Sequence, residues 1–424
     1  MRARLEHGPA RKVNTNIVIL TGNHLCNNPR VIKEASTLAN AGYGVTVVGA
    51  WFDWGLKARD LAMQKSLPFV FEPAIDVTEN MLCRLQVRAT AKVAATAHRF
   101  ARFESRDQLG YAYRRLRAAA SRRPAELYIA HSEAAMAVAV DLLHKGRRVG
   151  VDVEDWFSED LPLEARKARP IRLLRKLESK LLTSGRYTSC TSRAMSEALA
   201  SEFGCPKPTV IYNAFPWSDR KDLDGVFQDR RDRRVPSIHW FSQTLGPGRG
   251  LEDLIAALPL LKHEAEIHLR GKPASGFERW LAQRTPEAWR RRINVHGLVS
   301  NAELLSRIAE HDIGFAGETP LIRSRDLTVT NKSLYYVLAG LAVVASETAG
   351  QKEVAEQAPG GVSLYPSGNS VKLAASLDVL LGSSDALRQA KIAVLAAAAR
   401  TFCWERQEEQ LLRSVHHALA TPAA

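Results

Sequence analysis

The sequence predicts an α/β chain of two domains, each built on a parallel β-sheet covered by helices. At 424 residues the chain exceeds the usual size of one domain and is long enough for two cores. Short apolar segments with strand character alternate with segments of helical periodicity along almost the whole sequence. The alternation is interrupted by a stretch rich in Asp, Arg and Lys, from Ser218 to Pro236, and then restarts. This stretch is interpreted as the connection between the domains.

The first strand–helix–strand unit shows the pattern most clearly. Asn16–Leu20 is a short apolar run, and the polar loop after it leads to Asn28, which suits a helix N-cap, and Pro29, which suits the first helical position. Apolar residues then recur at helical spacing until Gly42, which is placed to end the helix. Val45–Val48 supplies the next strand. The segment is therefore predicted to be a βαβ unit.

The remaining strands fall into two groups on either side of the charged stretch. The predicted domains are residues 1–217 and 218–402, and residues 403–424 are predicted as a helix that packs back towards the first domain. Two Rossmann-like sheets of this kind bind ligands outside the carboxyl ends of their strands, so a site is expected in a cleft across which the two sheets face each other. The other predicted strands are Leu127–Ala130, Gly150–Val153, Thr188–Thr191, Thr209–Tyr212, Ile238–Ser242, Glu266–Leu269, Ile293–His296, Asp312–Ala316, Leu341–Ser346 and Val362–Tyr365.

Composition excludes several classes of protein. Hydrophobic residues make up 46% of the chain and charged residues 25%, as in ordinary globular proteins. The five cysteines are scattered and form no CxxC pair, which favours reduced thiols over a disulfide framework or a zinc site. The first 13 residues lack the apolar core of a signal peptide, and no apolar run approaches the ~20 residues of a spanning helix. We therefore expect a cytoplasmic protein.

The net charge of +14 and pI of about 9.7 indicate an anionic partner. Nucleic acid, a phospholipid surface and a phosphorylated small molecule all fit this sign. The sequence contains no zinc finger, RNP-like aromatic strand or other nucleic-acid reader motif, so nucleic acid is not predicted as a partner.

The strongest motif runs from Asn331 to Ser346, with the sequence NKSLYYVLAGLAVVAS. Thr330 is placed to cap a helix here, which would put Asn331 and Lys332 in its first turn. Helix N–H groups, the helix dipole and the Lys332 ammonium would then converge on a diphosphate. A surface Asn–Lys pair at a helix start would, alone, carry no such meaning.

A second motif is the glycine-rich segment Trp240–Leu251, with the sequence WFSQTLGPGRGL. A turn containing Gly248, Arg249 and Gly250 after a strand leaves backbone amides free for an anion and adds one cation. The alternative is a tight turn whose arginine is merely exposed to solvent.

Further candidate residues lie in loops that follow predicted strands. His131 and Glu133 follow the Leu127–Ala130 strand, and Glu154 and Asp155 follow Gly150–Val153. A lone histidine is more often structural than catalytic, and acidic residues here can equally cap the next helix. The loop after the first strand contains Gly22, His24 and Asn28, and the segment Val295–Val299 forms another such loop.

Together these motifs resemble glycosyltransferase family 4, a family of retaining GT-B enzymes, over about Asn14 to Leu419. The Asn331 segment is similar to the family's donor helix and strand, NK…EYxAAGxPVVAS. In the Trp240 segment, Arg249 stands where the family has a phosphate-binding Lys, and Gln243 stands where it commonly has Arg. Val295–Val299 resembles the family's fxGxv segment, whose backbone faces the nucleotide base.

The resemblance implies retaining transfer of a hexosyl or related group from a nucleotide-diphosphate sugar to a glycan or lipid-linked acceptor, as in polysaccharide biosynthesis. It implies no metal and no other cofactor, and Asp222-Leu-Asp224 is interpreted as a chance match to the DxD motif of another architecture. The first domain would hold the acceptor and the second the donor. The catalytic residues implied are Arg249, Lys332 and His131. The donor-binding residues implied are Gly22, Gly248, Gly250, Gly297, Val299, Glu318, Asn331, Leu334 and Tyr335. The acceptor-side residues implied are His24, Asn28, Glu133, Glu154 and Asp155.

One departure from the family pattern concerns its two glutamates, which are separated by seven residues. Leu327 and Tyr335 occupy these positions, and Glu318 is a carboxylate that can compensate by binding sugar hydroxyls. Two alternatives to an active transferase stay open, and this departure motivates the first of them. One is a catalytically degenerate sugar-nucleotide-binding protein, and the other is a GT-B nucleotide-sugar epimerase.

Two basic segments of helical character, Met81–Arg123 and Glu164–Leu182, fit a peripheral contact with an anionic membrane on its inner face. In the first segment, cations recur every four residues among apolar side chains, at Arg84, Arg88 and Lys92. Both segments fit equally well as ordinary surface helices whose apolar faces join the core.

Overall fold

The computed structural model describes residues 15–230 and 234–420, which divide into two compact units. The first unit holds the described residues of Met1–Cys190, Ser196–Ile211 and Glu408–Ala424. The second holds those of Thr191–Met195 and Tyr212–Gln407. Each unit contains one sheet of parallel strands with helices packed on it, as the sequence predicts.

The first unit is built on a seven-stranded sheet of order β3-β2-β1-β4-β5-β6-β7. The central strand β1 pairs in parallel with β2 and β4, so that Ile17 lies opposite Val45 on one side and Leu127 on the other. A strand covered on both faces needs apolar residues at every position, which explains the unbroken apolar run that predicted it. The strands are β1 (Asn16–Thr21), β2 (Gly44–Trp51), β3 (Val70–Asp76), β4 (Leu127–His131), β5 (Val149–Val153), β6 (Tyr187–Cys190) and β7 (Thr209–Val210).

The sequence did not predict β3. This strand carries Pro73 in its interior, and a proline cannot donate a hydrogen bond to a neighbouring strand. β3 lies at the edge of the sheet, where one side of the strand needs no partner. Pro73 therefore obscures the strand signal in the sequence but is tolerated at the edge of the sheet.

Helices connect the strands of the first unit. The first follows the predicted pattern, since Pro29 is its first residue and Gly42 has a positive φ of 96° just after its end. Asn28 is the N-cap residue as predicted, and its side chain makes no capping hydrogen bond. The helices are α1 (Pro29–Asn40), α2 (Trp54–Gln64), α3 (Met81–Ala101), α4 (Tyr113–Ser121), α5 (Glu133–Leu143), α6 (Leu163–Arg166), α7 (Ile171–Ser184) and α8 (Arg193–Phe203).

The second unit is built on a six-stranded parallel sheet of order β10-β9-β8-β11-β12-β13. Trp240, Phe315 and Tyr365 lie fully buried in its core. The strands are β8 (Ser237–Leu245), β9 (Glu266–Pro273), β10 (Ile293–His296), β11 (Ile313–Ala316), β12 (Ala342–Ser346) and β13 (Val362–Tyr365). The helices are α9 (Leu251–Ala257), α10 (Phe277–Arg284), α11 (Asn301–Ala309), α12 (Arg323–Leu327), α13 (Asn331–Ala339), α14 (Ala349–Gln357), α15 (Ser370–Leu381), α16 (Ser384–Arg400) and α17 (Trp404–Ala420).

The described part of the charged stretch from Ser218 to Pro236 packs on the second unit rather than forming a free connection. Asp224 accepts from the buried Arg307 at 2.5 Å, and Arg230 donates to Asp312 at 2.5 Å. Residues 231–233 of this stretch lie outside the described part of the chain. The Asp222-Leu-Asp224 motif thus contributes an ion pair, in which Asp224 neutralises a buried arginine.

The two basic segments differ in how their apolar residues are used. In α7, Leu174, Leu177, Leu181 and Leu182 are buried, as in an ordinary surface helix. In α3 only Ala94 and His98 are buried. Within the described residues, no helix combines the length and the apolar character that crossing a bilayer demands.

Candidate functional site

The second unit has a topological switch point between β8 and β11, where the strand order changes direction. The loops that follow these two strands touch through glycines. Gly250 has a φ of +77°, and a Cβ on it would lie 2.7 Å from the Cα of Gly317. Only glycine fits this conformation and this spacing. The contact brings the loop of Arg249 against the loop of Glu318.

Lys332 reaches this place from the start of α13. Its Nζ lies 2.6 Å from Oε1 of Glu318, and each of the two side chains is 7% exposed. Thr330 caps the helix as predicted, since its Oγ1 accepts a hydrogen bond from the Ser333 N–H. The Lys332 ammonium also lies 5.3 Å from the ring centre of Trp240. The predicted donor lysine is therefore fixed by a carboxylate, an aromatic ring and a capped helix.

The electrostatics of this cluster are dominated by positive charge. Burial lowers the pKa of Lys332, Glu318 opposes that shift, and the guanidinium groups of Arg249 and Arg325 add to the lowering. Arg249 is exposed and Arg325 half-buried, and neither forms an ion pair with an acid among residues 15–230 and 234–420. Lys332 therefore lies near two further cations, and Glu318 is the acid that pairs with it. Sequence reasoning missed Arg325, because nothing in its local pattern distinguishes it from a surface arginine.

The glycine-rich turn is less open than the sequence suggests. The Gly248 N–H donates to Oε1 of Glu252 at 2.5 Å, so one predicted anion-binding amide already holds a carboxylate. Glu252 belongs to the first turn of α9, where a negative charge is favourable. An incoming phosphate would have to compete with this side chain.

The other predicted donor residues have different surroundings. Asn331 is exposed, and its Oδ1 accepts from Nδ2 of Asn213 at 3.3 Å. Gly297 is exposed, Val299 is half-buried, and the Gly297 carbonyl accepts from the buried Arg270 at 2.6 Å. Leu334 is fully buried and its N–H donates to the Thr330 carbonyl, which gives it a packing role.

Apolar contacts surround the two positions, Leu327 and Tyr335, at which glycosyltransferase family 4 has glutamates. The Tyr335 ring stacks on Phe215 with centroids 3.7 Å apart, and Phe241 meets its edge at 5.7 Å. Burial, with a smaller contribution from Asp219, raises the pKa of Tyr335 to about 12. Leu327 is 9% exposed. Neither residue has a carboxylate, so the side chains at these two positions lack the negative charge that glutamates would carry.

Four histidines form a stacked group in the second unit, which sequence reasoning did not foresee. Ring centroids are 4.5 Å apart for His239 and His311, 4.6 Å for His268 and His311, and 5.2 Å for His268 and His296. Burial lowers the pKa of each, and that of His268 falls to about 4. Neither nitrogen of His239 has a hydrogen-bond partner among the described residues. The group is therefore uncharged in the folded protein near neutral pH.

In the first unit the switch point lies between β1 and β4. Here too the two loops are joined, because the Gly22 N–H donates to Oγ of Ser132 at 2.9 Å. Ser132 has a φ of +96°, which L-residues rarely adopt and which is a common sign of a functional loop. The predicted residues Gly22, His131 and Glu133 thus all lie at this junction.

His131 belongs to a buried network of charges. Its Nε2 lies 2.5 Å from Oε2 of Glu34, and Asp152 is held by Arg30, whose Nε donates to Oδ2 at 2.6 Å. Burial acts to lower the pKa of His131, but the carboxylates of Glu34 and Asp152 outweigh it and raise that pKa. The Nδ1 atom of His131 has no hydrogen-bond partner among the described residues. Only His131 of this network's central groups was chosen as a site residue from the sequence.

Glu34, His131 and Asp152 also form a group whose potential metal-ligand atoms lie within 4.8 Å of one another. Both oxygens of Asp152 accept hydrogen bonds from Arg30, at 2.6 and 3.1 Å. A metal ion would have to displace this guanidinium. The residues therefore fit an internal charge network better than a metal site.

The remaining residues predicted on the acceptor side have different surroundings. His24 is buried with both nitrogens in use, since Nδ1 pairs with Asp60 at 3.1 Å and Nε2 accepts from the Phe52 N–H at 2.8 Å. Asn28 donates to the His24 carbonyl at 2.8 Å. Both residues therefore hold the loop together and have little left to offer an acceptor.

The acidic residues predicted on this side differ in burial. Glu133 is half-buried and pairs with Arg169, and burial raises its pKa. Glu154 is half-buried as well, and burial raises its pKa against the opposing effect of Arg30. Asp155 is exposed.

Comparison with known proteins identifies the fold. No protein-family model matches the sequence, and no curated protein matches it either. Solved structures do match over nearly the whole chain. HepE of Anabaena, in complex with UDP, is 17% identical with a TM-score of 0.67, covering 95% of this chain and 99% of that one. Sucrose-phosphate synthase from Thermosynechococcus elongatus is 13% identical with a TM-score of 0.69, covering 96% and 100%. A UDP-forming α,α-trehalose-phosphate synthase from Burkholderia xenovorans is 16% identical with a TM-score of 0.67, covering 96% and 100%. The fold of this chain is that of the GT-B glycosyltransferases.

Proposed function

We propose that this protein is a retaining glycosyltransferase that takes a hexosyl or related group from a nucleotide-diphosphate sugar. The observation that carries the proposal is the group of Arg249, Arg325 and Lys332 at the switch point of the second sheet, in which Glu318 pairs with Lys332 and neither arginine forms an ion pair within the described residues. A diphosphate brings the negative charge that this group lacks. The start of α13, with Asn331 in its first turn, adds helix N–H groups and the dipole to the same attraction.

The reaction would use this charge when the sugar leaves the diphosphate. As the bond between sugar and phosphate breaks, negative charge develops on the leaving oxygen, and fixed cations stabilise it without reorganisation. Lys332 and Arg249 would supply this stabilisation, and Arg325 would add to it. The bound diphosphate would also offset the like-charge repulsion that adds to the effect of burial in lowering the pKa of Lys332. On this account the protein needs no metal ion to neutralise the leaving group.

Glu318 would have a second role once the donor is bound. With Lys332 turned towards the diphosphate, the Glu318 carboxylate becomes free to accept hydrogen bonds from the sugar hydroxyls. Its backbone is fixed for this purpose, because the Glu318 N–H donates to Ser346 Oγ at 2.8 Å and its carbonyl accepts from Ser367 Oγ at 3.1 Å. Glu318 would then serve in place of the glutamates that the chain lacks.

The donor is proposed to be a UDP-sugar, since HepE has been solved with UDP and with UDP-glucose. Thermal-shift measurements with UDP-, GDP-, ADP- and TDP-sugars test this choice, because a ligand of the folded state raises the melting temperature. We expect a shift with a UDP-sugar that disappears in Arg249→Ala. If none of the four classes of nucleotide-sugar raised the melting temperature, the proposal would be ruled out.

A catalytically degenerate sugar-nucleotide-binding protein is the second candidate. Tyr335, which stacks on Phe215 and carries no carboxylate, favours it. The two candidates differ in turnover. Binding of a UDP-sugar with neither hydrolysis nor transfer, across a panel of sugar and lipid-linked acceptors, would favour the binding protein.

The acceptor is proposed to be a glycan or a lipid-linked sugar, held by the first domain (residues 1–217), with the donor held by residues 218–402. The raised pKa of His131 supports a role for its buried charge near the acceptor. We place the enzyme in the cytoplasm, with access to the inner face of a membrane. The exposed apolar and basic residues of α3 support this location.

A further inference from the structure

We propose that the outward face of α3 binds an anionic lipid surface, with an apolar stripe that enters the interface and a row of cations that contacts the headgroups. The helix runs from Met81 to Ala101, which at 1.5 Å per residue gives a length of about 30 Å. Only Ala94 and His98 of its residues are buried. Most of the helix surface is therefore directed to solvent.

The apolar stripe consists of residues spaced by three, four, four and seven positions, which places them on one side of a helix. They are also unusually exposed, with Leu82 at 73%, Leu85 at 54%, Val93 at 69% and Phe100 at 79%. Ala94 and His98, which face the protein, lie on the other side of the helix. The stripe is therefore a second apolar face, separate from the one that attaches α3 to its unit. Its members are Leu82, Leu85, Ala89, Val93 and Phe100.

The row of cations lies beside this stripe. Arg84, Arg88, Lys92 and Arg99 are spaced by four, four and seven positions, and all four are exposed. From Met81 to Phe103 the sequence contains five Lys or Arg residues and no Asp or Glu. None of the four side chains forms an ion pair with an acid in the described ranges, 15–230 and 234–420.

The neighbouring helix α4 offers a contrast, because two of its three arginines have acidic partners. α4 is also rich in arginine, but Arg114 pairs with Asp107 at 2.6 Å and Arg117 with Asp141 at 3.1 Å. Charges paired in this way are already balanced within the protein. The charges of α3 are not balanced in this way, so they can pair with an anionic partner.

The combination of the two rows favours a lipid surface over other partners. A nucleic acid would use the cations but gives no reason for an exposed stripe of Leu, Val and Phe. A second copy of the chain would cover the stripe, but it would bring two sets of cations together with no acid between them. An anionic bilayer accepts apolar side chains below its headgroups and cations among them, so it satisfies both rows.

This inference rests on the proposed function in one respect, because a lipid surface is where a lipid-linked acceptor would be found. Vesicle binding itself requires no nucleotide, and donor binding requires no vesicle. The two proposals can therefore fail separately. A UDP-sugar thermal shift that persists in the α3 variants would show that the donor site is intact in them.

The test is co-sedimentation of the full chain with vesicles of phosphatidylcholine containing phosphatidylglycerol, and of phosphatidylcholine alone, at low and high salt. We expect binding to the anionic vesicles, weakening with salt. Arg84→Gln/Arg88→Gln/Lys92→Gln should weaken it roughly 100-fold, because each cation near the surface contributes about a factor of five. Leu82→Gln/Phe100→Gln should weaken it about tenfold or more, because apolar area no longer leaves water.

Matched controls come from the other unit and from exposed cations elsewhere. Val371→Gln/Val379→Gln changes two side chains of α15 that are each 64% exposed, and Lys167→Gln/Lys207→Gln/Arg388→Gln removes three exposed cations. Both controls should bind like the parent chain. All variants should keep the parent melting temperature, since the changed side chains are exposed.

Several results would overturn the proposal. They are the absence of binding to anionic vesicles at low salt, and equal binding by the parent chain and both α3 variants. Self-association that the stripe variant abolishes would assign this face to a second copy. Tighter binding to duplex DNA than to vesicles, lost in the cation variant, would assign it to nucleic acid.

Discussion

The ammonium of Lys332 is neutralised by the carboxylate of Glu318, 2.6 Å away, before any ligand is present. The sequence alone predicts Lys332 as a cation free to bind a diphosphate. The ion pair changes that expectation, because both side chains are buried. Loss of either partner leaves a charge in the interior.

We therefore expect Lys332→Met to affect stability as well as function. Breaking a buried ion pair from one side costs about 3 kcal/mol. The double variant Lys332→Met/Glu318→Gln should recover most of this loss, because no buried charge is left alone. Both variants should lose binding of the UDP-sugar. Urea unfolding measures the first effect and calorimetric titration the second, and full donor binding by the double variant would contradict the site.

Arg249→Ala should behave differently from the Lys332 variants. Arg249 is exposed and forms no ion pair with a described acid, so its removal should leave the melting temperature unchanged. Removal of a cation that stabilises the leaving diphosphate should lower transfer by about 10²-fold. Arg388→Ala, on α16 of the same unit, is the control and should leave transfer unaltered. Unreduced turnover in Arg249→Ala would remove Arg249 from the catalytic group.

Gly250 and Gly276 offer a comparison that isolates the close contact between loops. Each precedes a helix with a left-handed φ, 77° for Gly250 and 80° for Gly276, but a Cβ added at Gly276 would meet no described atom within 4 Å. Gly276→Ala should cost about 1 kcal/mol from backbone strain alone. Gly250→Ala should cost about 1–3 kcal/mol more, because the Gly317 backbone must move. Donor binding should fall only in Gly250→Ala, and equal costs would show that the contact is unimportant.

The stacked histidines predict that stability falls in mild acid. Burial holds their pKa values below the ordinary value near 6.5, and that of His268 falls to about 4. Between pH 6.5 and pH 4 the unfolded chain therefore binds more protons than the folded protein does. Their contribution is complete above pH 6.5 and is lost progressively as the pH falls towards 4. Melting temperatures from pH 8 to pH 5 should show this slope. It should be shallower in His268→Asn and unchanged in His144→Asn, which alters an exposed histidine.

The sheets and the helix α13 could be predicted from the sequence because their signals are local. Strands covered on both faces are unbroken apolar runs, and the cap of α13 depends on Thr330 and Ser333, three residues apart. The edge strand β3 lacks that signal, since it contains Pro73 and is only partly covered.

The candidate site was only partly predictable because its remaining contacts join distant parts of the chain. Glu34 and His131 are 97 residues apart, and no pattern near Glu34 marks it as the partner of a histidine. Arg325 likewise has nothing in its neighbours to distinguish it. The partners of His24 are equally distant in sequence, since Asp60 and the Phe52 N–H occupy its two nitrogens.

The interleaving of the two units along the chain has a consequence for synthesis. The first unit includes residues 408–420 of α17, whose Leu411 and Val415 are almost fully buried. The ribosome makes these residues only after the whole second unit. The core of the first unit is therefore completed during translation only after the second unit has been synthesised. A chain stalled on the ribosome before residue 408 would lack this part of the first unit's core.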